Sequence, residues 1–180
     1  MEIEMKYFLA FILVMTLCVK YIHDFSIISS FLTSPLQKKF STFQIVTVST
    51  LLTVVGLFGF FLAPNVPLIL LSLIPLGLGQ GAIDASLNNY VAVNYRAKHL
   101  HFLHACWSMG AIVAPIITSQ FLTNPNGWRN SLFILGLLQG FILLISIISK
   151  PLWSKENEVS RKEETNNDNN LKSWQIFKIK

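Results

Sequence analysis

Asp84 is the residue of this sequence with the clearest capacity for chemistry. It sits in Gly77-Leu-Gly-Gln-Gly-Ala-Ile-Asp-Ala-Ser-Leu-Asn-Asn-Tyr90, inside an apolar run long enough to cross a bilayer. A carboxylate in hydrocarbon is costly, so by default it marks a solute pathway, a proton relay or a ligand site. Asn88 follows one helical turn later, where its amide can reach the carboxyl on the same helix face. Asn89 extends the polar stretch. Gly77 and Gly81, also four apart, let another helix approach closely. The functional reading is a polar site facing a cavity, where the acid exchanges protons. The plainer reading is a structural hydrogen bond to a neighbouring helix, and these residues alone leave both open.

His99, His101 and His104, with Cys106 nearby, form the second group of interest. They invite a metal, yet no acidic residue or second histidine cluster supplies the remaining ligands, so no metal and no cofactor is expected. His104 and Trp107 either line a pathway or take interfacial and packing roles. Gly110 and Pro115 in the same run predict a tight crossing and a helix kink. The glycines around Gly79 lack the Lys-Ser/Thr and the preceding strand that a phosphate loop needs. No nucleophile, base and orienting group fall together, so an enzyme is not expected.

The elements that position these residues follow from composition. Of 180 residues, 52% are hydrophobic and 13% charged, against about 25% charged in soluble domains. The two cysteines, Cys18 and Cys106, lie too far apart in sequence to suggest a disulfide scaffold. Net charge is +5, but half of the 14 Lys and Arg lie at or beyond Lys150. A basic tail beside a membrane segment fits the positive-inside pattern, and nucleic acid is not an expected partner. The fold class is all-α and polytopic, with the lipid bilayer as solvent.

A bilayer core needs about 20 apolar residues per helix. Phe43–Leu62, Val66–Val93, His101–Leu122 and Ser131–Ile148 meet that need. Their connectors are short and rich in turn residues, which predicts antiparallel neighbours. The first segment is less regular: Tyr7–Val19 is interrupted by Lys20, His23 and Asp24 before Phe25–Leu32 resumes. One long span over residues 7–32 is the preferred reading, with Lys20 and Asp24 placed to pair; a signal peptide or a surface segment are the alternatives. About five spans then make a bundle over residues 1–153, and residues 154–180 read as a disordered cytosolic tail. Lys38 and Lys39, with Arg96 and Lys98, fall on the same side as that tail. This assigns that side, and the C-terminus, to the cytoplasm.

Two stretches carry a resemblance. Pro75–Val91 resembles the fourth helix of major facilitator superfamily transporters, and His101–Pro115 resembles the fifth. Trp128-Arg129 is similar to the start of the sixth. The pattern is closest to bacterial sugar permeases of the fucose-permease type, and it covers about Ile27 to Trp153 of a family N-terminal half. The resemblance implies a bacterial inner-membrane transporter, with Asp84 and Asn88 at positions used for proton coupling and sugar binding. In the family's loop between helices two and three, Ser34 stands where an acid is expected and Pro35 where an arginine is; Lys38 and Lys39 keep the basic end. Because such transporters rock one bundle against another, the chain is expected to act as a half or truncated transporter. It would pair with a complementary C-terminal half or another copy. The alternative is a truncated, non-transporting interaction partner or residual fragment.

Overall fold

The computed structural model describes residues 2–121, 127–151 and 153. The tail assigned to residues 154–180 and most of the turn before Trp128 lie outside the described residues. Among those described, the chain forms five helices: α1 (Glu2–Gln37), α2 (Thr42–Leu62), α3 (Val66–Asn94), α4 (Ala97–Phe121) and α5 (Gly127–Ile148). The last four are each long and apolar enough to cross a membrane.

Local chemistry sets the helix starts. Ser41 accepts a hydrogen bond from the Gln44 amide while the Gln44 side chain accepts one from the Ser41 amide, a reciprocal cap on α2. Asn65 caps α3 by accepting from Leu68 N–H, and a proline stands in its first turn. The helices overrun the apolar segments that announced them. α4 begins at Ala97 rather than His101, and α5 at Gly127 rather than Ser131. Hydropathy marks only the hydrocarbon-facing part, while backbone hydrogen bonding carries a helix on into the interface.

α1 is one unbroken helix through Lys20, His23 and Asp24. It also runs through Ser30–Gln37, which the family pattern had placed in a loop, and includes Pro35. The expected Lys20–Asp24 ion pair is not formed: both residues are exposed, and no such pair occurs among the described residues. Lysine preceding the acid at i,i+4 is the weaker order for a helical pair.

α1, α3, α2 and α5 stand in a row, with α4 leaning lightly on α3 and α5. α3 contacts α1 on one stripe and α2 on another. α1 and α3 are parallel, since Ile22 meets Gly77, Ser26 meets Gly81 and Gln37 meets Asn89. α2 and α3 are antiparallel, with Gly56 against Leu76 and Gly79 against Ser49 and Thr53.

The interior is rich in small and hydroxyl-bearing residues, beside a few aliphatic ones such as Leu73, Ile45 and Val46. Ser29, Thr33, Ser49, Thr50, Thr53, Ser86 and Ser131 are buried, while Phe31 is 78% exposed and Ile148 76%. This inverts a water-soluble core and is how helices pack when the surroundings are apolar. Several hydroxyls donate back to their own helix, such as Thr33 to Ser29 O and Thr50 to Val46 O. Aromatic groups mark both ends. Trp153 stacks near Tyr90 and Phe43 at one, and Trp128 near Phe60 at the other, in keeping with interfacial belts.

Between α2 and α5, Gln139 Nε2 donates to Thr53 Oγ1 at 3.0 Å, and Thr53 Oγ1 itself donates to Thr50 O. Gln139→Leu removes one interhelical bond without stranding Thr53. The expected cost is about 0.6–1 kcal/mol, measured as a small shift in the unfolding midpoint in mixed micelles.

Candidate functional site

The site is built on the stripe of α3 that meets α1. Gly77, Gly81 and Asp84 recur at i, i+4 and i+7, so the close-approach positions and the acid share one side of the helix. A Cβ placed on Gly77 would stand 2.6 Å from Ile22 O and 2.8 Å from Phe25 Cβ. One placed on Gly81 would overlap the carbonyl oxygen of Ser26 and lie 2.8 Å from its Cα. Only hydrogen fits at either place. The approach is secured by hydroxyls: Ser30 Oγ donates to Gly81 O at 3.1 Å, and Ser29 Oγ donates to Leu78 O.

Asp84 is exposed, and its Oδ1 accepts a hydrogen bond from Asn88 Nδ2 at 3.2 Å. This is the i,i+4 contact expected from the spacing. Asn89 turns toward α1, where its Nδ2 donates to Gln37 Oε1 at 3.0 Å. Asn88 Oδ1 and Gln37 Nε2 are both enclosed, and neither makes a hydrogen bond among the described residues. The stretch therefore holds an exposed carboxylate and, among the described residues, an unpaired buried amide acceptor and an unpaired buried amide donor.

Gln37 and Ser30 were not singled out by sequence reasoning. The signal for Ser30 was present in Ser26, Ser29, Ser30 and Thr33, a small hydroxyl stripe at helical spacing. Gln37 gave none, because its role depends on the parallel register of α1 and α3.

The α4 residues are placed differently. His104 and Trp107 are both exposed, Trp107 by 68%, and no contact among the described residues joins either to Asp84 or Asn88. The close crossing expected at Gly110 is not made with any described helix, since nothing lies within 4 Å of where its Cβ would stand. Pro115 lies inside α4, and no residue of α4 is buried. This helix has too little neighbouring surface in the described structure to use its small residues. Among the described residues, no three His, Cys, Asp or Glu side chains converge as metal ligands would. Lys38 and Lys39 occupy the turn between α1 and α2, and Arg96 and Lys98 flank the α3–α4 junction, so both pairs lie at the same end of the bundle.

Apolar helices joined by small residues, with a lone carboxylate on a glycine-lined stripe, define a polytopic integral membrane protein. The chain belongs to the Major Facilitator Superfamily, whose model matches residues 8–179. It is similar to the glucose/mannose transporter GlcP of Bacillus subtilis (strain 168), at 28% identity over 104 residues, covering 56% of this chain and 26% of that protein. It is also similar to the TsgA homolog of Buchnera aphidicola subsp. Baizongia pistaciae (strain Bp), at 30% identity over 105 residues, covering 56% of this chain and 27% of that protein. The matched region thus spans about a quarter of each of these curated relatives. Membership of this family points to transport rather than catalysis.

Proposed function

We propose that this chain supplies the solute-facing helices of a bacterial inner-membrane transporter for a small polar solute, with a sugar as the first candidate and H⁺ as the coupling ion. The observation that carries the reading is the Asp84–Asn88 pair on the stripe that also carries Gly77 and Gly81. An ionisable group tolerated at mid-span is best explained by a watery route beside it. The enclosed acceptor on Asn88 and donor on Gln37 suit hydroxyl groups, each of which donates and accepts. Similarity to a protein named as a glucose/mannose transporter supports the sugar reading, and the helix-four pattern extends it toward the fucose-permease type. The basic pairs Lys38/Lys39 and Arg96/Lys98 put their end of the bundle in the cytoplasm by the positive-inside rule, and the C-terminus with them. Alternating access takes two bundles around a shared site, so these helices work against a second bundle. The reading as a residual, non-transporting fragment is not favoured by the family match.

The test is uptake of labelled glucose, mannose and fucose by cells lacking their own permeases. The chain is expressed alone and together with a complementary C-terminal half. Uptake is expected in one of these settings and should collapse when a protonophore removes the proton gradient. Uptake that ignores the protonophore would remove H⁺ from the proposal. No uptake of any of the three sugars in either setting would remove the sugar.

A further inference from the structure

An apolar groove of about 330 Å³ opens between the Ser29–Phe40 stretch of α1 and the following turn, α2 from Gln44 to Leu52, and Leu78 and Ala82 of α3. α1 and α2 scarcely touch along it, and α3 forms its floor. Leu32, Leu36, Phe40 and Val48 line it while remaining 40–58% exposed. On α2 it runs for about 12 Å at 1.5 Å per residue, a length suited to the first part of an acyl chain.

The mouth of the groove is charged. Lys38 and Lys39 sit between two of its lining residues, Leu36 and Phe40. That turn is fixed by hydrogen bonds from Lys39 N–H and Phe40 N–H to Leu36 O, at 3.0 and 2.9 Å. Both lysines are exposed. No Asp or Glu occurs between Phe25 and Ile83, so nothing in that sequence neutralises them. The N-terminus of α2 adds the positive end of its dipole at the same level.

We infer that this groove is a binding site for an anionic phospholipid. One acyl chain lies against Leu32, Leu36 and Val48, and the headgroup phosphate is held by Lys38 and Lys39. The charge at the mouth is what selects the occupant. A neutral lipid fills the groove equally well but gains nothing from the lysines, whereas each lysine near an anionic headgroup is worth roughly fivefold in affinity.

The full chain, reconstituted in phosphatidylcholine bilayers, is titrated with phosphatidylglycerol or phosphatidylcholine carrying a spin label on the acyl chain. The wild type is expected to immobilise phosphatidylglycerol about tenfold or more in preference to phosphatidylcholine, and the preference should fall as salt is raised. In Lys38→Gln/Lys39→Gln the preference should approach unity while some labelled lipid stays immobilised. Val48→Trp, at an exposed position, should reduce the immobilised population of both lipids. Arg96→Gln/Lys98→Gln should leave the preference intact. Equal immobilisation of the two lipids by the wild type, or a preference indifferent to salt, would overturn the site. A preference that follows Arg96 and Lys98 would do the same. So would immobilisation unaffected by Val48→Trp, the result expected if a protein helix already fills the groove.

Discussion

Asp84→Asn is expected to abolish proton-driven accumulation in the uptake assay while leaving the protein folded and in the membrane. The amide nearly matches the carboxyl in volume and can still hydrogen-bond Asn88, so the α3 turn keeps its shape. What disappears is the ability to carry a proton or a charge beside the proposed solute route. Loss of a charge-assisted hydrogen bond to a solute hydroxyl costs about 1.5–3 kcal/mol, which is roughly a 10- to 150-fold fall in affinity. Two readouts separate the roles. Solute exchange at equal concentrations tests binding and movement, and accumulation against a gradient tests coupling. A variant that still exchanges but no longer accumulates assigns the proton to Asp84. Unchanged accumulation would take the proton away from this residue.

Gly81→Leu is expected to have the largest effect on folding. Its Cβ would meet the Ser26 backbone, which cannot rotate aside as a side chain can. Overpacking against movable neighbours costs about 1–3 kcal/mol, so a clash with helix backbone should reach or exceed the upper end. The expected result is a large drop in the unfolding midpoint, together with loss of the Ser30–Gly81 and Asn89–Gln37 contacts that depend on the same approach. Gly110→Leu is the matched control. With open space at its Cβ position and a gain in helix propensity of somewhat under about 1 kcal/mol, it should leave the midpoint level or raised. Equal losses from both substitutions would mean that the α1–α3 approach is not the one that holds the bundle.

These two residues also show how far a sequence can be read. Asp84 and Asn88 were legible because a helix converts a spacing of four into a contact by itself, with no knowledge of neighbours. The four strongly apolar helices were legible for a similar reason, since about twenty apolar residues declare their surroundings whatever they pack against. Gly81 was legible as a close-approach position, but not its partner. That Ser26 faces it, and that Gln37 then meets Asn89, depends on the register between two helices some 50 residues apart in sequence. The starts of α4 and α5 lie four residues before the apolar segments because hydropathy stops where hydrocarbon stops, whereas hydrogen-bonded turns carry on. On α4, Gly110 promised a crossing that the described helices do not make. Small residues permit an approach but do not name who approaches.

Serine hydroxyls and bare glycines leave α1 and α3 touching main chain to main chain. There is no cushion of long side chains between them to absorb a displacement. A tilt of α3 near Gly81 should therefore carry α1 with it, because it meets the Ser26 backbone rather than a movable side chain. The two helices are expected to move together at this contact, so a change beside the acid reaches α1 directly.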